Sequence, residues 1–213
     1  MKTILFLCLV VLHLVGRAQG FVNLSFEATS LGTEPAIVPT VTALPGWVAY
    51  LNGVPQQNIY YNAVPLSAAW VTLQGPGNGL YPPIQGQYFV SLWGEYRPLG
   101  GPGASAAIGQ TGQIPLSAQS LVLWGDIGGV QITFNNQLLG FQVTGSTANY
   151  SIYAADISAY AGQTGELRFT APVNIGGALI DNIQFAVPEP STPSLASLGL
   201  LALGWHSRRK QWG

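Results

Sequence analysis

The chain is 213 residues long, has a net charge of −1, and only 7% of its residues are charged. That length suits one domain with a sizeable core, and a single cysteine excludes a disulfide framework. The chain's only histidines and lysines, His13, His206, Lys2 and Lys210, lie near the two ends, and so does Cys8. Residues 21–187 therefore lack the material for a Ser-His-Asp or Cys-His nucleophile and for a histidine- or cysteine-ligated zinc site. They equally lack a P-loop lysine or a basic patch that would hold nucleic-acid phosphates. Their charges are Arg97 and Arg168 against seven acids, a net −5.

Met1-Lys2-Thr3 and the apolar stretch Ile4–Val15 predict a secretory leader helix. Small residues at Gly16–Ala18 and Ala18–Gly20 offer a cleavage point, which sets the leader at residues 1–20. Cys8 sits inside the apolar stretch, not after it, and is no lipid-attachment site. From Phe21 to Val187 short apolar runs are separated by Gly, Pro, Asn and Ser, the pattern of strands. The predicted strands are Phe21–Glu27, Gly46–Tyr50, Asn58–Tyr61, Ala69–Leu73, Gln87–Trp93, Ala104–Gln110 and Ser120–Trp124. Val130–Phe134 alternates strictly, Asn135-Asn136 supplies a turn, and Leu138–Val143 is the returning strand. Tyr150–Tyr153, Gly165–Ala171 and Leu179–Phe185 complete the set. Gly75–Gly86 and Arg97–Gly103 read as surface loops, and Asp156–Tyr160 as one helical turn capped by Asp156. About eleven or twelve strands in one domain, 21–187, predict an all-β fold, an antiparallel β-sandwich or barrel.

Residues 188–213 change character. Pro188-Glu189-Pro190 is followed by an apolar run, Leu195–Trp205, and by the basic cluster Arg208-Arg209-Lys210. The cluster would stay on the cytoplasmic side of a membrane. The apolar run gives a helix of about 16 Å against a hydrocarbon core of about 30 Å, short for a permanent span and adequate for a transient one. This order resembles the PEP-CTERM signal of Gram-negative bacteria. The resemblance implies export, transient lodging in the inner membrane, processing by an exosortase, and delivery to the cell envelope, cell surface or extracellular matrix.

Within the domain, Asn23-Leu24-Ser25-Phe26-Glu27, Pro45-Gly46-Trp47, Gly86–Leu92, Asp156–Gln163 and Asp181-Asn182 follow in order. The series resembles the galactose-binding-like jelly rolls, which include carbohydrate-binding modules, with Leu24 where the family pattern has glycine. The resemblance implies a structural calcium between Glu27 and Asp181, an ion that takes carboxylate and carbonyl oxygens. Read from the residues alone, alternation puts Asp181 on one face with Leu179, Ile183 and Phe185, the core face, where a carboxylate needs a partner. An ion, a hydrogen-bonded rim position and pairing with Arg168 all remain open.

Tyr81, Trp93, Tyr96 and Arg97 lie in or beside the long loops and are candidates for a flat surface on which neutral sugar rings of an exopolysaccharide stack. Trp93 ends a predicted strand, a position that favours the core over the loop surface for this residue. Glu95, Asp126 and Glu166 offer material for a glycosidase pair, whose separation a sequence does not fix. The expectation is a non-catalytic carbohydrate-binding or structural surface protein, with a two-carboxylate glycoside hydrolase as the alternative.

Overall fold

Alternating apolar residues on successive strands close two sheets face to face. A computed structural model describes residues 20–64, 67–97, 100 and 102–187. The expected leader helix and the tail, with Pro188, Glu189, Pro190, the apolar helix and Arg208–Lys210, lie outside the described residues apart from Gly20. The strands are β1 (Ala36–Pro39), β2 (Val48–Leu51), β3 (Val54–Gln56), β4 (Asn58–Tyr61), β5 (Trp70–Gln74), β6 (Phe89–Trp93) and β7 (Ala106–Gln113). They continue as β8 (Ser120–Asp126), β9 (Gln131–Phe134), β10 (Gln137–Leu138), β11 (Gln142–Ser146), β12 (Ser151–Asp156), β13 (Thr164–Ala171) and β14 (Ala178–Ala186). The larger sheet has eight strands in the order β1-β4-β5-β6-β14-β8-β12-β11, and the smaller has six, β10-β9-β13-β7-β2-β3.

The inner faces interdigitate in one core. Val71 and Leu73 on β5, Val90 and Leu92 on β6 and Leu121 and Leu123 on β8 meet Ile108, Ile132, Phe134, Leu167 and Phe169 of the smaller sheet. An aromatic chain runs through it: Phe26 lies 5.6 Å from Trp47, and Trp47 lies 6.0 Å from Phe169. Tilted pairs at such separations add to the area each ring buries.

Several expectations are corrected. Phe21–Glu27 is not a strand. Asn23 and Phe26 adopt positive φ, 50° and 58°, and the Asn23 side chain accepts from Ala28 N–H at 2.9 Å while donating to the Pro45 carbonyl at 3.2 Å. Asparagine tolerates that conformation and replaces ladder bonds with its own. Strands β1 and β3 escaped prediction because Pro39 and Pro55 sit in them; both are edge strands, where a missing donor costs no ladder bond. Leu138–Val143 is not one strand: β10 belongs to the smaller sheet and β11 to the larger, and the chain crosses between them. Pairing is not wholly antiparallel, since β4 and β5 run parallel with Tyr60 opposite Thr72. The helical turn is a 3-10 helix at Ser158–Tyr160, capped by Ile157, while the carboxylate of Asp156 accepts from Ser158 N–H at 2.8 Å.

Trp47 joins Phe26 to Phe169, and its indole N–H donates to the Asn23 carbonyl at 3.0 Å. Trp47→Ala should lower unfolding free energy by about 3–5 kcal/mol in urea denaturation. A loss within experimental error would remove the aromatic chain from the core's support.

Candidate functional site

The turn at Asn23 buries Phe26 and thereby turns Glu27 outward, toward the segment that precedes β6. There Glu27 Oε1 accepts the backbone N–H groups of Gln87 and Tyr88 at 2.8 and 2.9 Å. Gly86 stands against this carboxylate with φ +65°, and a Cβ at that position would overlap Glu27. Only glycine meets both demands at once.

Asp181 reaches the same segment from β14. Its Oδ2 accepts Gln85 N–H at 2.9 Å and its Oδ1 accepts Asn182 N–H at 2.6 Å. The expected face is corrected. The β14–β8 register shifts between Asp181 and Gln184, and Asn182 has φ 47°. This bulge reverses the alternation, so Ile180 and Ile183 both join the core while Asp181, next to Ile180, does not share their face. Nor is Arg168 its partner, because Arg168 pairs with Glu166.

Asp181 is 0% exposed. Burial pushes its carboxyl up to about 8, the N–H donors of Asn182 and Gln85 offset part of the rise, and the negative charge of Glu27 adds to it. The structure thus brings the two acids close enough to repel. A buried Asp181 beside a half-buried Glu27 suits a hard, oxygen-seeking cation, which would favour the charged form of Asp181. Three of the four oxygens already accept N–H bonds, and the described residues contain no cluster of three or more His, Cys, Asp or Glu. A calcium ion here would need carbonyl or water oxygens to complete its shell.

The loop aromatics are not one shelf. Tyr81 meets Phe89 edge-on, with centroids 6.4 Å apart, at the start of β6. Trp93 ends the same strand, about 13 Å away at a rise of about 3.3 Å per residue. It stacks on Trp70 at 5.2 Å and 16°, and Gly176 packs against its ring, where an added Cβ would come within 2.6 Å. Trp93 is packed, but on the outer face of the larger sheet and not in the intersheet core. Tyr96 is 62% exposed. Arg97 forms an ion pair with Glu95, whose Oε2 accepts Ala104 N–H at 2.9 Å.

A different feature of that outer face was missed by the sequence reading. Among the described residues, the buried side-chain atoms without a hydrogen-bond partner are Trp70 Nε1, both polar atoms of the Gln74 amide, Ser91 Oγ and Trp93 Nε1. Trp70 lies opposite Trp93, Thr72 opposite Ser91, and Gln74 opposite Phe89. Since Val71, Leu73, Val90 and Leu92 face the core, all the orphaned atoms share the other face. Each costs about 1–3 kcal/mol when left unpaired. The sequence carried a signal in Thr72, Gln74 and Ser91, polar residues alternating with core residues, but no local period shows that they are buried.

The glycosidase candidates Glu166 and Asp126 lie on different sheets. Glu166 lies on β13 in the smaller sheet, where Arg168 grips it with Nε and Nη2 at 3.0 and 2.9 Å and Tyr50 donates its hydroxyl at 3.2 Å. The Arg168 guanidinium rests 4.0 Å from the centre of the Tyr50 ring. Asp126 ends β8 in the larger sheet and accepts Gly128 N–H at 3.3 Å.

These sheets define a β-sandwich protein. Residues 186–210 match the PEP-CTERM protein-sorting motif. That motif implies an exported, surface-sorted protein processed by exosortase, as the order of tripeptide, apolar run and basic end led us to expect. No match is found among curated proteins. Among solved structures the chain is similar to the enzymatically active domain of bacteriophage CBA120 tailspike protein 4. The likeness is distant: 16% identity over 68% of this chain and 20% of that chain, with a TM-score of 0.39. This chain thus spans about a fifth of the tailspike chain's length.

Asp181 has a folded-state carboxyl well above its ordinary 3.8, so its stabilising contribution is complete below that value and is lost as pH rises through about 8. In chelator, wild-type protein should therefore lose melting temperature relative to Asp181→Asn as pH is raised from about 5 to about 8. Parallel melting curves for the two across that range would show that Asp181 titrates normally.

Proposed function

We propose that this protein is a non-catalytic component of the cell envelope or extracellular matrix of a Gram-negative-type bacterium, whose sandwich, a galactose-binding-like jelly roll, binds a neutral polysaccharide. The observation that carries the reading is the sorting motif at 186–210, which begins where β14 ends at Ala186. The apolar run lodges transiently in the inner membrane, the basic end stays inside, and cleavage near Pro188-Glu189-Pro190 frees the domain. Support for a binding role comes from the residues available: segment 21–187 has no histidine, cysteine or lysine, and Glu166 and Glu95 are each paired with an arginine. A net −5 on that segment favours a neutral polymer over an anionic one.

Replacing Glu189 and both prolines should leave the protein in the inner membrane. Mass spectrometry of the exported wild type should find no Arg208–Lys210; an extracellular protein that still carries them overturns processing. Retention of the exported protein on neutral polysaccharides, with release of reducing sugar followed in parallel, tests the binding role. Turnover would favour a hydrolase.

Glu27 and Asp181 are the residues that would hold a structural calcium, with the ion screening their mutual repulsion. A ligand that binds only the folded state adds about 2.7 kcal/mol at a hundredfold excess over its dissociation constant. Calcium should raise the melting temperature of the wild type and leave Asp181→Ala unmoved. Superimposable wild-type curves in calcium and in chelator would refute the ion.

A further inference from the structure

The outer face of β5 and β6 is shut from solvent yet holds hydrogen-bonding groups that the protein itself does not use. Gln74 and Ser91 are both 0% exposed, and neither side chain has a partner. Two indole N–H groups, from the stacked Trp70 and Trp93, are left in the same condition. Their positions are regular. Cross-strand pairing sets Gln74 by Phe89, Thr72 by Ser91 and Trp70 by Trp93, forming one strip along the two strands.

The strip's covers are identifiable. Tyr81, in the Gly- and Pro-rich segment 75–87, sits edge-on against Phe89 at one end. The Ala63 carbonyl accepts the Thr72 hydroxyl at 3.0 Å over the middle. Gly176 closes on Trp93 at the other end. With the covers in place, the orphaned groups are buried without a hydrogen-bond partner, an arrangement that weakens the closed state. The segment is anchored at both ends, by Asn62 at Gly75 and Pro76 and by Asp181 and Glu27 at Gln85 and Gln87. The stretch 78–83 between the anchors makes only local turn bonds, Asn78 Oδ1 accepting from Leu80 and Tyr81 N–H, and is the part free to lift.

We infer that this strip is a covered binding site for a neutral saccharide unit, exposed when the stretch 78–83, with Tyr81, lifts from Phe89. The chemistry selects the ligand class. The strip has two obligate donors in the indoles, a hydroxyl and an amide able to donate and accept, aromatic surface, and no charge. Pyranose hydroxyls supply acceptors and donors together, and pyranose C–H faces pack on aromatic rings. An anion would meet no positive charge on the strip, and a purely apolar ligand would leave the same atoms unpaired. The inference rests on the carbohydrate-binding reading above and locates its site away from exposed Tyr96.

The test uses the exported protein, polysaccharide-column retention, tryptophan emission and a panel of neutral gluco-, manno- and galacto-oligosaccharides. The wild type should be retained and should show a saturable emission change as Trp70 and Trp93 gain partners. Gln74→Met and Ser91→Ala should each weaken binding by about tenfold or more while leaving the melting temperature equal or higher, since an apolar replacement removes an unpaired group. Retention by the wild type without an emission change, or with affinity unaltered in both variants, overturns the strip and leaves the carbohydrate reading standing. Loss of affinity only together with lowered melting temperature also overturns it, assigning these residues to packing. Absence of retention on every neutral polysaccharide overturns the carbohydrate reading and the strip with it.

Discussion

Apolar contact between the two sheets holds this domain together, and the chain contains little else that could. Its lone cysteine lies outside residues 21–187, so no disulfide cross-links them. The ion pairs, Glu95–Arg97 and Glu166–Arg168, join residues two apart on one segment and tie no distant parts together. Pairs as exposed as these contribute about 0–1 kcal/mol. Registry between the sheets therefore falls to large rings and branched side chains, with Phe26, Trp47 and Phe169 reaching from the N-terminal turn past the start of β2 to β13.

The sheets differ in how they treat their outer faces. The smaller sheet presents Tyr50, Glu166 and Arg168 half-exposed on a floor that includes Gly109, whose hydrogen leaves room for the Glu166 carboxylate. The larger sheet is covered on both faces around β5 and β6, as their unbroken burial shows apart from half-buried Trp93. Covering a second face adds apolar burial from Trp70 and Phe89 but also encloses Gln74 and Ser91. A face that served packing alone would carry apolar residues there, since an apolar group of the same shape has no desolvation penalty.

Segment 75–88 connects this strip to the paired acids. Its Tyr81 meets Phe89, while Gln85, Gln87 and Tyr88 donate backbone N–H groups to Asp181 and Glu27. One loop thus joins the N-terminal turn, the bulged last strand and the covered face. The backbone that donates to the carboxylates is the same backbone that approaches the strip.

Much of this was legible in the amino-acid order. Strand β4 was predicted with its observed bounds, and the Asn135-Asn136 turn has the positive φ at both residues that a tight hairpin needs. The tail motif rests on residue order alone. The failures have local causes: Asn23 turned a strand-like run into a loop, Pro39 and Pro55 concealed two edge strands, and a one-residue change of parity moved Asp181 off the face shared by Ile183. The sequence by itself determined the β content, the C-terminal sorting motif and the residue types that segment 21–187 lacks. Tertiary structure alone decided that Thr72, Gln74 and Ser91 are buried. Alternation reports which residues leave the core face, but whether loops then cover the opposite face depends on chain segments remote in sequence, and no local period records them.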